Sequence, residues 1–315
     1  MVVNQANMAQ LFKGFSARFN KGFAAPVDPE DRETLRLADF AMEVPSSSGS
    51  TDHTWIGQIP AFRKWIGSRT VNELDLGKIT VVNEPWESTV KVPVPSIEDD
   101  GYGAFGNLVE AMGVNARDLW RALAVKALLA NGDWADRNPF FCSGRVLAEG
   151  VPTLTNAVTA SFSASALETA LAAMRSTVLQ GGMNANVLPK LLVVGPSNMA
   201  LARRVIRGEL VPNAAGTATE SNPLKDIVKL RCCNELSGDH AGKWYLFGEA
   251  AGIRAVAVQK RKEAKLTVRD AATDECVFKD NEVQYGADAR GEGFLTLPFL
   301  AYAGGFANVP AFSAD

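Results

Sequence analysis

One long amphipathic stretch constrains this chain more than any other feature: Ile97 to Asn131 reads as a single helix. After the acidic start Ile97-Glu98-Asp99-Asp100, residues Leu108, Met112, Leu119 and Leu123 fall at offsets of four, seven and four, with Ala111, Ala122 and Leu129 alongside. That spacing is an apolar stripe of period 3.6. Glu98, Asp99 and Asp100 suit the positive end of a helix dipole, and Asn131-Gly132 supplies residues that turn left-handed and end the helix. About 25 to 30 residues at 1.5 Å each make a rod of roughly 40 Å, longer than the usual helix of a compact domain. Such a rod needs layers packed on both sides.

The same stretch holds Gly101-Tyr102-Gly103-Ala104-Phe105-Gly106, a match to the G-x-G-x-x-G of dinucleotide sites. That loop must follow a strand and offer bare amides to a pyrophosphate, with an acidic residue about 20 positions on for the ribose. Three carboxylates precede it here and the later acid is missing, so a glycine-loosened helix entry is the reading and no cofactor is expected.

With 315 residues, 47% of them hydrophobic, the chain can bury a sizeable core as two domains or one elaborated domain. A net charge of −3 argues against a dedicated nucleic-acid binder, though not against weak contact with DNA. Cys142, Cys232, Cys233 and Cys276 lack C-x-x-C spacing and read as reduced thiols. No run of 18 apolar residues suggests a membrane span, and Lys13, Arg18 and Lys21 interrupt any signal-peptide core. The protein is expected to work where it is made, or to leave by cell lysis.

Along the chain, Phe12, Phe15, Phe19 and Phe23 line one face of a short helix. A membrane-surface helix has the same look, but packing on the protein itself or on a neighbouring subunit is the commoner meaning. Polar residues with Pro26 and Pro29 follow, then Pro45-Ser46-Ser47-Ser48-Gly49-Ser50, a flexible linker by composition, so the first fifty residues read as an arm. Trp55 and Trp65 read as core aromatics. Ile79 to Val82 and Val90 to Val94 alternate around Asn83-Glu84-Pro85-Trp86, which predicts a β-hairpin with Trp86 at its tip. A lone hairpin is marginal in water, so a distant segment or another subunit must cover it.

Beyond the long helix, residues 138–159 are irregular and anchored by Phe140 and Phe141. Ser165-Ala166-Leu167-Glu168 reads as a capping box opening a helix with Leu167, Leu171, Met174 and Val178 buried, ended by Gly181-Gly182. Leu191 to Val194 is a short buried strand, and a helix with Met199, Leu201, Val205 and Ile206 follows a turn capped by Ser197. Strands are predicted at Ile227–Leu230, Trp244–Phe247, Ala255–Gln259 and Leu266–Val268. The region mixes helices and strands as one α+β unit.

Catalytic constellations are missing. The two histidines, His53 and His240, allow no H-E-x-x-H pair or three-histidine zinc site, and neither a phosphate loop nor a G-x-S-x-G elbow occurs. Cys142 as a nucleophile is weaker than Cys142 as a small core residue beside Phe140 and Phe141. Asp99 and Asp100 point about 100° apart on a helix and make a poor cation pair, and Lys260-Arg261-Lys262 reads as a solvated edge. No catalytic, cofactor-binding or metal-ligating residue is expected.

The ordered motif set resembles the major head subunits of Mu-like phages. It comprises Leu11-Phe12 with Gly14-Phe15, Glu43-Val44-Pro45, Trp55-Ile56-Gly57-Gln58-Ile59-Pro60, Trp65-Ile66-Gly67, Ile97-Glu98-Asp99-Asp100 with Tyr102-Gly103, Gln259-Lys260-Arg261, and Tyr285-Gly286-Ala287-Asp288-Ala289-Arg290. No one motif is diagnostic; in order and across nearly the whole chain they are specific. One departure follows the long helix, where Phe140-Phe141-Cys142-Ser143 stands in place of an Asp-His-Pro run.

The resemblance implies the α+β capsid fold named after phage Hong Kong 97. Residues 1–50 would then be the N-terminal arm, 51–67 a peripheral-domain segment and 68–96 the E-loop hairpin. Residues 97–150 would hold the spine helix of the peripheral domain, 151–258 the axial domain, and 259–315 the peripheral sheet's return, through the alternating stretch Val277 to Phe299, and the C-terminus. It also implies pentamers and hexamers closing into an icosahedral shell around double-stranded DNA. Portal, scaffold or protease, and decoration proteins would be the partners; any scaffold would be a separate protein, because the N-terminus has no long charged helical segment. Ring contacts are expected from Phe12, Phe15, Phe19, Trp86 and Val90. A tail-tube or other phage assembly protein, and an enzyme using Cys142, are the alternatives.

Overall fold

The computed structural model of the chain describes residues 5–25, 33–56, 76–99, 104–147, 150–179, 182–212, 219–271 and 273–313. Helix α1 (Gln5–Ala24) leads to the single-turn α2 (Leu37–Phe40), strands β1 (Ala41–Pro45), β2 (Ser50–Ile56), β3 (Leu76–Val82) and β4 (Glu84–Pro93), the short α3 (Val94–Glu98) and the long α4 (Ala104–Ala130). Next come α5 (Ala164–Arg175), β5 (Leu188–Val194), α6 (Pro196–Arg207), β6 (Leu210–Pro212), β7 (Thr219–Ser221), β8 (Lys229–Cys232), β9 (Trp244–Ala250) and β10 (Ile253–Arg254). The last elements are β11 (Val256–Arg269), α7 (Glu275–Asp280), β12 (Glu282–Leu295) and β13 (Ala301–Gly304).

The 27 residues of α4 make the expected rod of about 40 Å. Its entry differs from the sequence reading, because Glu98 ends α3 and Asp99 is that helix's C-cap. The acidic run therefore closes a short helix, in keeping with the poor helix propensity of Gly101 and Gly103 just beyond it. At the other end Asn131 adopts φ 47°, and its amide accepts from the Phe141 N–H at 2.7 Å and donates to the Phe141 carbonyl at 3.1 Å. The buried stripe also shifts. Val109, Met112, Gly113, Trp120, Leu123, Ala124, Val125 and Leu128 are covered, whereas Leu108 is exposed.

Layers do lie on more than one side of the rod. Its first half packs Val109 and Met112 with Phe15 and Phe19 of α1 and with Val92, Ile97, Val283 and Tyr285. Its second half packs Trp120, Leu123 and Leu128 into a larger cluster with Phe140, Phe141 and Leu295. Glycines permit both approaches. A Cβ on Gly113 would lie 2.2 Å from the Phe19 carbonyl oxygen, one on Gly22 would lie 2.1 Å from that of Glu110, and one on Gly293 would lie 2.5 Å from that of Leu123. Gly113→Val is therefore expected to force α1 off the spine, at about 1–3 kcal/mol or more of overpacking. A urea melt with protease sensitivity of α1 reads the effect, and an unchanged melt would mean that the arm helix adds nothing to subunit stability.

Two main sheets flank this frame. One runs β1-β11-β12-β4, with β1 parallel to β11 and the other pairs antiparallel. The other runs β10-β9-β5-β8, with β13 added against β9. Residues 301–304, beyond the expected returning stretch, thus join the second sheet. The strands predicted at Ala255–Gln259 and Leu266–Val268 are one bulged strand, β11, and the alternating stretch after Val277 begins as helix α7. Helix α5 starts two residues earlier than predicted, because Ser163 accepts from the Ala166 N–H at 3.1 Å as its cap; Ser165 lies inside the helix. It ends at Arg175, before Gly181-Gly182. Gly195, not Ser197, caps α6, with Pro196 in the first turn.

The hairpin predicted within 68–96 does not form between Ile79–Val82 and Val90–Val94. β3 pairs with β2, placing Ile79 opposite His53, and β4 pairs with β12, placing Val90 opposite Tyr285. Only Asn83 separates β3 from β4, too short a link for even a two-residue hairpin loop. The Pro45–Ser50 linker is correspondingly an ordered turn, with the Ser46 N–H bonded to the Lys260 carbonyl at 2.9 Å. The side chain of Phe12, the side chain of Trp55, Trp65-Ile66-Gly67, residues 68–75 and Tyr102-Gly103 lie outside the described residues.

Candidate assembly surfaces

The two-stranded β2–β3 sheet gains no third strand among the described residues, so contact with the first sheet must hold it: Ile79 and Val81 of β3 pack on Ala257 and Phe294, and its root is tied down as well. A buried polar network does this. Gln259 of β11, fully buried, donates through Nε2 to Asn83 Oδ1 at 2.9 Å and to the Val81 carbonyl at 3.3 Å. Its Oε1 then accepts from His53 Nε2 at 2.6 Å, which fixes the proton on that nitrogen. Asn83, equally buried, donates to Ser46 Oγ at 2.9 Å and to the Ser48 carbonyl at 2.8 Å, and Arg290 Nε donates to the Asn83 carbonyl at 3.1 Å. The His53 ring stacks on Phe294 with centroids 4.7 Å apart. Buried amides satisfied on every side fix one geometry, and here they fix the angle at which the hairpin leaves the sheet.

The residues singled out for ring contacts fare differently. Phe15 and Phe19 are buried within the chain, Phe15 edge-on to Tyr285 at 5.6 Å, where α1 lies on α4. Trp86 is not at a tip. It stands in β4 opposite Ala289, donates Nε1 to the Gly291 carbonyl at 3.0 Å, and lies under the Lys126 ammonium at 4.8 Å. Val90 is half-buried against the α1 cluster. Trp86→Ala is accordingly expected to lower the stability of the isolated subunit by about 1–3 kcal/mol, less than the ~3–5 of a fully buried Trp. Chemical denaturation of the monomer reads this, and an unchanged midpoint would return the indole to an intersubunit role.

The arrangement offers little to chemistry. Cys142 is completely buried, and burial pushes its thiol up despite the Arg145 guanidinium nearby. Among the described residues no group of three metal-ligating side chains converges, and no helix is long and apolar enough to cross a membrane. What sequence reasoning missed is the network itself: Asn83 was read as a turn residue, and Gln259 was part of a quoted motif without a role. An Asn between two alternating runs, too short for a turn, was the available signal.

A spine-centred α+β subunit with two main sheets and a separate two-stranded β2–β3 ladder defines a class, the capsid shell protein of Hong Kong 97 type. Its fold matches the bacteriophage JBD30 capsid with a TM-score of 0.52, 18% identity and coverage of 100% of this chain and 76% of that one. It matches the capsid of a native GTA particle at 0.55, 14% identity, 90% and 97%. The profile of the family described as "Phage capsid protein" covers residues 95–288, and that described as "Mu-like prophage major head subunit gpT" covers 8–150. The chain belongs to the phage capsid protein family.

Two curated relatives match its sequence. The Mu-like prophage FluMu major head subunit of Haemophilus influenzae is 31% identical over 120 residues, 38% of this chain and 37% of that protein. The major capsid protein of Escherichia phage Mu is 28% identical over 116 residues, 37% of this chain and 36% of that protein. The matched stretch thus spans little more than a third of either relative.

Proposed function

We propose that this chain is the major head subunit of a tailed phage or Mu-like prophage, forming pentamers and hexamers that close into an icosahedral shell around double-stranded DNA. One observation carries the reading most: the β2–β3 hairpin, held rigidly at its root by Gln259 and Asn83, has no third strand in its own subunit among the described residues. One face of β3 is covered in its own subunit, where Ile79 and Val81 pack on Ala257 and Phe294; its unpaired edges are left for a strand or loop of a neighbouring subunit. A ring interface is heterologous, so one subunit must present two different complementary surfaces, and the β2–β3 hairpin supplies one of them. Within this reading α1 is the arm, β2–β3 with the segment between them the E-loop, α4 the spine, and the β5-β8-β9-β10-β13 sheet the axial domain.

The chain acts as a structural protein and not as an enzyme. Portal, scaffold or protease, and decoration proteins are its partners, non-specific contact with packaged DNA falls on the inner face, and its place is the virion. Sedimentation velocity of the purified protein tests the reading. The expected result is a fast boundary far heavier than the 33.7 kDa subunit, dissociating in denaturant to a single slow species. A species that stays monomeric at every concentration would refute it.

A further inference from the structure

Two unsatisfied features stand on opposite parts of the subunit. The first is Phe278, 82% exposed on α7 at the end of the β11–β12 hairpin. Around it the sequence places Asp270, Asp274, Glu275, Asp280 and Glu282; Lys279 pairs with Glu275 and Lys91 with Glu282, which leaves Asp270, Asp274 and Asp280 without a salt bridge among the described residues. The crowding is felt: burial and the neighbouring Asp274 push the Asp270 carboxyl above its usual range.

The second is a cleft of about 760 Å³ at one edge of the second sheet. Phe40, Leu191, Ile206 and Phe247 floor it, and the exposed Leu188 and Ile227 stand at its lip. Lys190, Arg207, Lys229, Arg231 and Arg254 line it, outnumbering Asp39, Asp226 and Glu249. Arg231 is paired with Asp39, Lys190 with Glu249 and Arg207 with Glu33, which leaves Lys229 and Arg254 against Asp226. Arg254 has only the carbonyls of Ala38 and Ala41, at 2.6 and 2.8 Å, to donate to among the described residues, and exposed Lys229 has no acidic partner among them. Positive charge is left over at the lip of an apolar hollow.

We propose that Phe278 and the acidic turn around it dock into this cleft of a second copy of the chain. The same copy cannot fill its own cleft. Arg254 lies just before β11 and α7 just after it, and that strand of 14 residues spans roughly 40 Å at about 3.3 Å per residue. The two surfaces differ, so the contact is heterologous and propagates from copy to copy, as a ring or shell requires. Apolar insertion contributes affinity, while the opposed charges fix the orientation and exclude docking of one acidic tip on another.

The proposal rests on the shell-forming reading, and its test separates the two. In a Cys232→Ser background, where the remaining cysteines are buried, subunits carrying Lys279→Cys, which keep Phe278, and differently tagged subunits carrying Leu188→Cys are co-assembled and treated with a short bismaleimide. Both substituted positions are exposed. The expected result is a heterodimer band carrying both tags, found only in the sedimenting particle fraction, together with loss of particles in Phe278→Glu subunits whose monomer melt is unchanged. Particles in which Lys279→Cys links to itself, or to nothing, would overturn this docking while leaving the shell intact, as would normal assembly of Phe278→Glu. Absence of particles from every sample, wild type included, would remove the shell reading and this inference with it.

Discussion

Leu119→Pro yields no folded subunit. Position 119 lies mid-way along α4, where proline deletes a backbone hydrogen bond and drives its ring into the carbonyl one turn back, costing about 3 kcal/mol or more. The damage exceeds that local cost, because the two halves of the helix serve the two principal cores. Val109 and Met112 precede the kink and belong to the α1 cluster; Trp120, Leu123 and Leu128 follow it and belong to the larger one. A bend between them cannot keep both sets in place. Against a typical total of about 5–15 kcal/mol, such a loss leaves an insoluble or protease-labile chain. Expression, solubility and far-ultraviolet circular dichroism read the outcome, and a soluble variant with wild-type helicity would mean that the helix is not the structural axis.

Asp136→Ala is expected to rank next. Arg145 is completely buried; its guanidinium donates to the Asp136 carboxylate and to the Pro139 and Phe140 carbonyls, and lies 5.2 Å from the Trp134 ring centroid. Removing the only carboxylate paired with it among the described residues strands a buried charge, a change that typically costs about 3–5 kcal/mol. The Asp136 side chain is itself 25% exposed, which places the expectation at the lower end of that range. Removing both charges should be milder. The double variant Asp136→Ala, Arg145→Met is expected to recover part of the loss in a denaturant titration, since replacing a buried pair by apolar groups is often near neutral. A single variant as stable as wild type would show that the pair does not hold the 131–147 loop. This is the loop in which Phe140-Phe141-Cys142-Ser143 departs from the resembling family, and the pair, with Asn156 donating to the Phe140 and Pro298 carbonyls at 3.0 Å, closes it here.

The spine was legible because a stripe sustained over seven turns has no other stable reading, and its left-handed stop at Asn131 is local chemistry. Its start was not. Carboxylates ahead of a helix and carboxylates ending a shorter one look alike in sequence, and the choice rests on where the chain bends. Strand positions were legible for the same reason as the spine: alternation is intrinsic to a strand. Partners were not, since Val90 and Val92 alternate identically whether they pair with β3 or with β12, and only the sheet decides. The one-residue link at Asn83 was the clue that a hairpin could not close there. Gly22 and Gly113 were invisible as a helix crossing, because a glycine's empty space has meaning only beside the backbone that fills it. The buried amides of Gln259 and Asn83 were hidden likewise, as each is satisfied by residues far away in sequence.

Electron microscopy of the purified, concentrated protein tests the shell-forming account most directly. The account predicts closed hollow particles of uniform diameter, with five- and six-membered rings resolved after averaging and the β2–β3 hairpin of each subunit lying over its neighbour. Open tubes of stacked rings would make the chain a tail-tube or other assembly component, and a field of dispersed monomers at high concentration would contradict the account altogether.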